Sequence, residues 1–248
     1  MIIKTNELIS NSLNLYSVAK ESVAISNQEE LNDLADYISQ HNLKYLFLGE
    51  GTNLVPPEYF DGMIIKSAFK EISNNSNDVL NVGSAVNWDE LVNYSLENNI
   101  KGFENLSLIP GSVGASPIQN IGAYGSEVSN YIKEIKTFNT LTRKIEIVQA
   151  KDCNFDYRTS IFKYRKELLI LSVTFLTKTK PTIDITYQSL LKRINQKNLK
   201  KESLSPIDIY DLVCEVRNSV LPDFISYPNV GSFFKNTYVT KDKINKYE

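Results

Sequence analysis

Apolar and polar positions in the first hundred residues fall into short β-rich runs separated by amphipathic stretches. "SVAIS" (22–26) reads as a strand, and Ser26 with Glu29 has the S-x-x-E spacing of a capping box opening the helical "NQEELNDLADYISQHN". "KYLFLGEG" (44–51) reads as a short buried-type strand running into glycines, and "GMIIKSA" (62–68) as another strand. The polar "SNNSND" (73–78) predicts a surface turn before the strand "VLNVGSA" (79–85). Asn87 with Glu90 repeats the capping spacing and opens "WDELVNYSLENN", whose Trp88, Leu91, Val92 and Leu96 share one helical face.

Further along, "IKEIKTFNTLTRKIEIVQA" (132–150) alternates as two antiparallel strands around "NTLTRK". "LLILSVTFL" (168–176) is a β-branched strand, far too short to cross a bilayer. From about residue 187 the period becomes helical in "YQSLLKRINQ" and in "PIDIYDLVCEVRNSV" (206–220), and strand-like "GSFFKN" (231–236) follows. The change at 185–190 marks a domain boundary, and no internal repeat is present.

Composition narrows the class. The 248 residues are 42% hydrophobic and 23% charged with net charge −2, the profile of a globular chain without a nucleic-acid or anionic-membrane partner. "KRINQKNLKK" (192–201) reads as a solvated helix face, and the start lacks the long apolar core of a secretion signal, so a cytoplasmic protein is expected. Cys153 and Cys214 lack C-x-x-C spacing, which points to reduced thiols that bind no metal. The single histidine, His41, sits where a helical pattern ends, excluding a histidine-rich metal site and leaving a Ser-His-Asp triad only this one candidate.

Two glycine-rich segments carry the candidate chemistry. "GEGTN" (49–53) fails the dinucleotide fingerprint G-x-G-x-x-G, because Leu54 takes the third glycine's place and Pro56-Pro57 block a following helix. What survives is a tight turn whose bare N–H groups can approach a phosphate, with Thr52 and Asn53 as extra donors; a plain surface turn is the commoner meaning of so short a pattern. "IPGSVGASPIQNIGAYGSEV" (109–128) holds four of the ten glycines (Gly111, Gly114, Gly122, Gly125), with Pro110 and Pro117 stiffening it. Ser112, Ser116, Gln119 and Asn120 add hydrogen-bonding groups to a loop otherwise built of small apolar residues. A short and a long glycine loop together suggest a two-point grip on an extended phosphorylated cofactor.

These residues also carry a resemblance. "GFENLSLIPGSVGASPIQNIGAYGSEV", with "LGEGTNL" upstream and "DYRTSIFK" and "GSFFKN" downstream, resembles the UDP-N-acetylenolpyruvoylglucosamine reductase (UDP-N-acetylmuramate dehydrogenase) family, in order over residues 11–240. The resemblance implies an α+β fold. A two-part FAD-binding domain of the vanillyl-alcohol-oxidase (PCMH) type would occupy 1–186 (parts of about 1–68 and 69–186), followed by an incomplete α+β substrate-binding domain at 187–248. It implies non-covalent FAD, since neither glycine loop contains His or Cys, held by Gly49, Glu50, Gly51, Thr52, Asn53 and Leu54. The long loop would contribute Pro110, Gly111, Ser112, Gly114, Ala115, Ser116, Gln119, Asn120, Gly122, Ala123 and Tyr124. The implied reaction passes hydride from NADPH through flavin to UDP-N-acetylglucosamine enolpyruvate, in a monomer without metal. Arg158 matches the enolate-stabilising arginine and Ser232 the proton donor, while Tyr187, Arg217 and Asn236 match substrate contacts.

Three departures from the family pattern stand out. Relatives continue beyond "VTKDKINKYE" (239–248), which itself reads as the start of a helix, and carry there a catalytic glutamate; a fragment or a shortened chain is therefore expected. Val220 stands where this tyrosine-loop branch often has lysine, and Asn14 where glycine is usual. The competing reading is a non-catalytic flavin- or nucleotide-sugar-binding remnant.

Overall fold

The computed structural model describes residues 1–76, 78–177, 185–223 and 225–236. Strand β1 (Ile3–Leu8) pairs antiparallel with β2 (Val18–Ile25), whose Ala19, Val23 and Ile25 are buried. The chain then forms helix α1 (Glu29–His41) and returns through β3 (Tyr45–Phe47) and β4 (Tyr59–Ser67), so that β4 lies parallel to both β2 and β3. The sheet order is β1-β2-β4-β3. A parallel pair needs a crossover, and α1 supplies it, burying Leu31, Leu34, Ala35 and Ile38.

The second sheet is antiparallel throughout. Strands β5 (Ile72–Ser76) and β6 (Val79–Gly83) form a hairpin, and α2 (Trp88–Glu97) and the long loop follow, with a small hairpin of β7 (Gly122–Ala123) and β8 (Ser126–Glu127). Strands β9 (Ile132–Asn139), β10 (Lys144–Gln149) and β11 (Leu168–Leu176) complete the order β10-β9-β11-β6-β5. The largely apolar run of β11 is central and covered on both faces, as such runs require. Leu168, Ile170, Val173 and Phe175 pack with Trp88 and Phe103, whereas Leu169 and Leu171 join Phe138 and the α1 cluster of the first sheet. A register shift between Ile170 and Ser172 reverses the alternation, which keeps Val173 and Phe175 on the face that Ile170 begins.

Helices α3 (Gln188–Gln196) and α4 (Pro206–Val220) form a smaller core of Leu190, Ile194, Ile209, Leu212, Val213 and Val216. Ser205 and Asp208 make a reciprocal capping box with Pro206 at the first helical position.

The structure corrects several sequence expectations. The α1 start has Gln28 at its N-cap without a side-chain bond; Glu30, not Glu29, takes the Ser26 N–H at 2.9 Å, and Asn27 Oδ1 accepts the Glu30 N–H at 3.0 Å. Asn87 does cap α2, accepting the Asp89 and Glu90 N–H groups, but its own amide donates to Glu50 at 2.9 Å. "SNNSND" is mostly strand β5, because its backbone pairs with β6 whatever the side-chain polarity. "KYLFLGEG" yields an edge strand with Leu46 exposed, and "GSFFKN" forms no strand. "VTKDKINKYE" lies outside the described residues. His41 falls in the last turn of α1, stacked on Tyr37 at 4.1 Å. Asn14 has φ of +57°, a left-handed conformation that asparagine tolerates better than other non-glycine residues.

Candidate functional site

The two glycine loops meet. The short loop leaves β3, and Gly51 turns it with φ of +75°; a Cβ there would lie 2.1 Å from the Ser10 carbonyl oxygen, so no side chain fits. The long loop crosses the end of β6, with the Val113 N–H on the Val86 carbonyl (2.8 Å) and the Gly114 N–H on the Ser84 carbonyl (2.9 Å). A Cβ on Gly49 would come within 2.9 Å of Ser112 Oγ, which puts the two loops in contact. Thr52 Oγ1 donates to the Pro110 carbonyl (3.2 Å) and Gln119 Nε2 to Asn53 Oδ1 (2.8 Å), tying them further.

Beneath this junction lies a cavity of about 990 Å³, at the upper end of the usual size of a cofactor pocket. Gly49, Glu50 and Thr52 line it from the short loop, and Ser112, Gly114, Ala115 and Ile118 from the long one. Apolar walls come from both sheets, through Leu46, Phe47 and Ile65 on one side and Leu168, Leu169 and Ile170 on the other. Lys44, Lys66, Lys70, Lys163, Arg165 and Lys166 also line it, and Arg165 is paired with Glu146 and Glu167. Apolar walls, bare backbone and lining cations fit a ring system attached to a diphosphate, so the residues present suit FAD.

Other members of the expected cofactor set have different surroundings. Gly51, Asn53 and Leu54, together with Pro110, Gly111, Ser116, Gln119, Asn120, Gly122, Ala123 and Tyr124, are absent from the cavity lining. Leu54 packs with Ile9, Ala19 and Ile64, and buried Ser116 donates to the Val113 carbonyl at 2.8 Å. Asn120 is buried, donating to Glu127 Oε2 (2.8 Å) and the Asp156 carbonyl (3.3 Å) and accepting from the Ser129 N–H (3.1 Å). Gly122 and Ala123 form β7, and Tyr124 packs on the α3/α4 core. Sequence reasoning missed Ser10, Asn11 and Ser12, which line the cavity but belong to no motif; Lys163 lay inside "DYRTSIFK".

Arg158 and Ser232, 74 residues apart, come together. Asp156 and Thr159 close a tight turn with reciprocal N–H to carbonyl bonds of 3.2 and 3.1 Å, and Arg158 within it has φ of +55°. The turn is stitched to the long loop by Asn120 and by Ser160 Oγ, which donates to the Ile118 carbonyl at 2.9 Å. Lys163 Nζ donates to the Arg158 carbonyl at 3.2 Å. The tail reaches the same place across the short loop: Asn53 Nδ2 donates to the Val230 carbonyl (2.7 Å), Ser12 Oγ to the Asn229 carbonyl (2.5 Å), and the Asn229 N–H to the Ser12 carbonyl (3.1 Å). There the Arg158 guanidinium donates to the carbonyl of Ser232.

A second polar group forms where α4 meets the long loop. Tyr124 and Tyr187 stack edge-to-face at 5.3 Å, and Arg217 Nη2 donates to the Leu108 carbonyl at 3.1 Å. Burial pushes the Arg217 guanidinium below its usual range and the Tyr124 phenol above its own. Asn236 is exposed, and no described hydrogen bond joins it to Arg158 or Arg217; Val220 is also exposed. One buried acid was not foreseen. Glu104 accepts the Gly102 N–H at 2.5 Å while its Oε1 has no partner among the described residues, and burial raises its carboxyl. Among the described residues no group of three potential metal ligands occurs, and no helix is long and apolar enough to cross a membrane.

Comparison with known proteins places this geometry. The sequence profile described as "FAD binding domain" matches residues 20–143. UDP-N-acetylenolpyruvoylglucosamine reductase of Porphyromonas gingivalis strain W83 is 41% identical over 206 residues, covering 80% of this chain and 60% of that protein. The protein of the same name from Amoebophilus asiaticus is 36% identical over 247 residues, covering 96% of this chain and 72% of that protein. The crystal structure of UDP-N-acetylenolpyruvylglucosamine reductase from Thermus caldophilus superposes with a TM-score of 0.68 at 19% identity, covering 99% of this chain and 80% of that one. The chain thus spans about 60% of the length of the Porphyromonas relatives. The expected α+β architecture with an FAD-binding domain is borne out.

Proposed function

The chain belongs to the UDP-N-acetylenolpyruvoylglucosamine reductase family, and on that footing we propose that it holds FAD non-covalently and serves the reduction of UDP-N-acetylglucosamine enolpyruvate to UDP-N-acetylmuramate in peptidoglycan precursor synthesis. Residues 1–186 are the FAD-binding domain, in parts of about 1–68 and 69–186, and the helices from 187 onward belong to the substrate side. The observation that carries the reading is the meeting of Arg158 and Ser232 beside the two joined glycine loops.

When bound, FAD supplies the hydride relay between NADPH and the enolpyruvyl double bond. Hydride arrival at the β-carbon leaves negative charge on the α-carbon and its carboxylate. The Arg158 guanidinium is always charged and grips a carboxylate with two parallel hydrogen bonds, so it holds this enolate. The Ser232 hydroxyl delivers the proton to the α-carbon, a task within reach of so weak an acid because the carbanion is very basic and adjacent. Its carbonyl contact with Arg158 keeps that hydroxyl at the end of the same turn. Gly49, Glu50, Thr52, Ser112, Gly114 and Ala115 are the cofactor contacts, and Tyr187 and Arg217 the nucleotide-sugar side. The protein acts as a cytoplasmic monomer.

Purified protein tests this directly. The expected result is a yellow protein whose flavin leaves on denaturation, bleaches with NADPH under anaerobic conditions and regains colour with the enolpyruvyl nucleotide sugar. A colourless protein that cannot be reconstituted with FAD would overturn the reading. Bleaching without recovery is the signature of a non-catalytic flavin protein, the alternative favoured by exposed Val220 where the family resemblance sets lysine.

A further inference from the structure

Leu108 enters the long loop with φ of +55°, the left-handed region that costs a branched side chain free energy. Most other non-glycine residues in that region are asparagines, and Leu108 is the one aliphatic residue there among the described residues. Both of its main-chain groups are taken by charged side chains from different helices. Its N–H donates to Asp89 Oδ1, in the first turn of α2, at 2.9 Å. Its carbonyl accepts from Arg217 Nη2, in the last turn of α4, at 3.1 Å. Asp89 and Arg217 form no ion pair with each other among the described residues, so the leucine backbone is what each of them grips.

On either side the same segment is pinned by Trp88, whose indole N–H donates to the Leu106 carbonyl (2.8 Å) and whose main-chain N–H donates to the Gly111 carbonyl (2.9 Å), and by Thr52, whose hydroxyl donates to the Pro110 carbonyl. From Gly111 the chain runs straight into Ser112, Gly114 and Ala115, which line the cavity. Arg217 therefore joins the helix pair beyond residue 187 to the cavity wall through one strained residue. A glycine at 108 would take this conformation without help; a leucine takes it only while both ends are held.

We propose that Asp89 and Arg217 are positioning residues that clamp Leu108 in left-handed backbone, so that the seating of α4 sets the shape of the loop lining the cavity. Arg217 thus acts on cofactor binding from the substrate side. The cofactor half of this rests on the flavin assignment above; the backbone half does not.

The test compares Arg217→Met, Arg217→Lys and Leu108→Gly, alone and with Arg217→Met, by amide hydrogen exchange at Leu108 in flavin-free protein and by FAD titration. Releasing the clamp in Arg217→Met should speed exchange at Leu108 and weaken FAD binding by roughly tenfold each, the scale of one left-handed residue's penalty. Arg217→Lys should keep most of both properties, because an ammonium also donates to the carbonyl. Adding Leu108→Gly to Arg217→Met should restore FAD binding, since glycine needs no clamp; a residue that merely packs α4 would not be rescued in this way. Wild-type exchange and affinity in Arg217→Met, or a loss of affinity that Leu108→Gly fails to repair, would overturn the proposal. If Arg217→Met does not fold, Asp89→Ala removes the other half of the clamp and must show the same rescue. Wild-type protein that binds no FAD overturns the flavin assignment alone, and exchange at Leu108 still decides the clamp.

Discussion

Replacing Asn120 with alanine separates two roles for the long glycine loop. The side chain makes three hydrogen bonds, to Glu127, the Asp156 carbonyl and the Ser129 N–H, and its backbone sits at φ of +47°. Each bond contributes about 1 kcal/mol net, and left-handed backbone costs alanine about 1–2 kcal/mol, less than that for asparagine. Because Glu127 and Asp156 have access to water, some of the loss is recovered, and a destabilisation of about 3 kcal/mol is expected. For a chain of this size that lowers the melting temperature by about 6–12 °C. Asn120 does not line the cavity, so FAD affinity of the folded variant should stay within about threefold of wild type, a difference under 1 kcal/mol. Its bond to Asp156 instead supports the Arg158 turn, so in protein that turns over the nucleotide sugar, reoxidation by substrate should slow while reduction by NADPH does not. Thermal unfolding of the apo protein and flavin titration of the same samples decide it. A loss of FAD affinity of a hundredfold with unchanged stability would refute the reasoning and make Asn120 a cofactor contact.

Other perturbations read other parts of the fold. Phe175→Ala empties a fully buried position packed on Trp88 and Phe103 and should cost about 3–5 kcal/mol by urea unfolding; a loss under 1 kcal/mol would contradict the central place of β11. Glu104 has a folded pKa raised above its unfolded value of about 4.5, so its contribution to stability is full below that value and is lost as pH rises through the folded pKa. Glu104→Gln should therefore flatten the fall in urea midpoint on the alkaline side, and an unchanged slope would show that the acid does not titrate there. Lys44, Lys66, Lys70 and Lys166 line the cavity without ion-pair partners among the described residues, so FAD binding should weaken as salt is raised and Lys66→Gln should lessen that dependence. Salt-independent titrations would remove these lysines from cofactor recognition.

Elements with a strong local signal were legible from sequence. The helix at 206–220 was readable from its helical period, and β11 because eight of its nine residues are apolar or β-branched. Strand β5 was not, since four of its five residues are polar and pair only because β6 lies beside them. "GSFFKN" has strand composition but no neighbouring edge to pair with among the described residues, and stays irregular. The loops of the cavity were visible as glycine and proline clusters, yet which of their residues face inward was not. Inward facing depends on contacts such as Gly49 against Ser112, which join positions 63 residues apart. Ser10–Ser12 and the Asp89–Leu108–Arg217 clamp carry no sequence signature, because they work through main-chain atoms that any residue could present.

The cluster that places Leu169 and Leu171 with Leu31, Leu34 and Ile38 has a consequence for how the molecule is made. During synthesis α1 leaves the ribosome beside β2, with β4 soon to follow, but the β9 and β11 residues of the same cluster are still untranslated. At about 5–20 residues per second, the 133 residues from Ile38 to Leu171 take roughly 7–27 seconds to appear. Until then the amino-terminal cluster lacks Leu169 and Leu171. The cavity, walled on one side by Ile65 and on the other by Leu169, comes into being only when that late strand arrives.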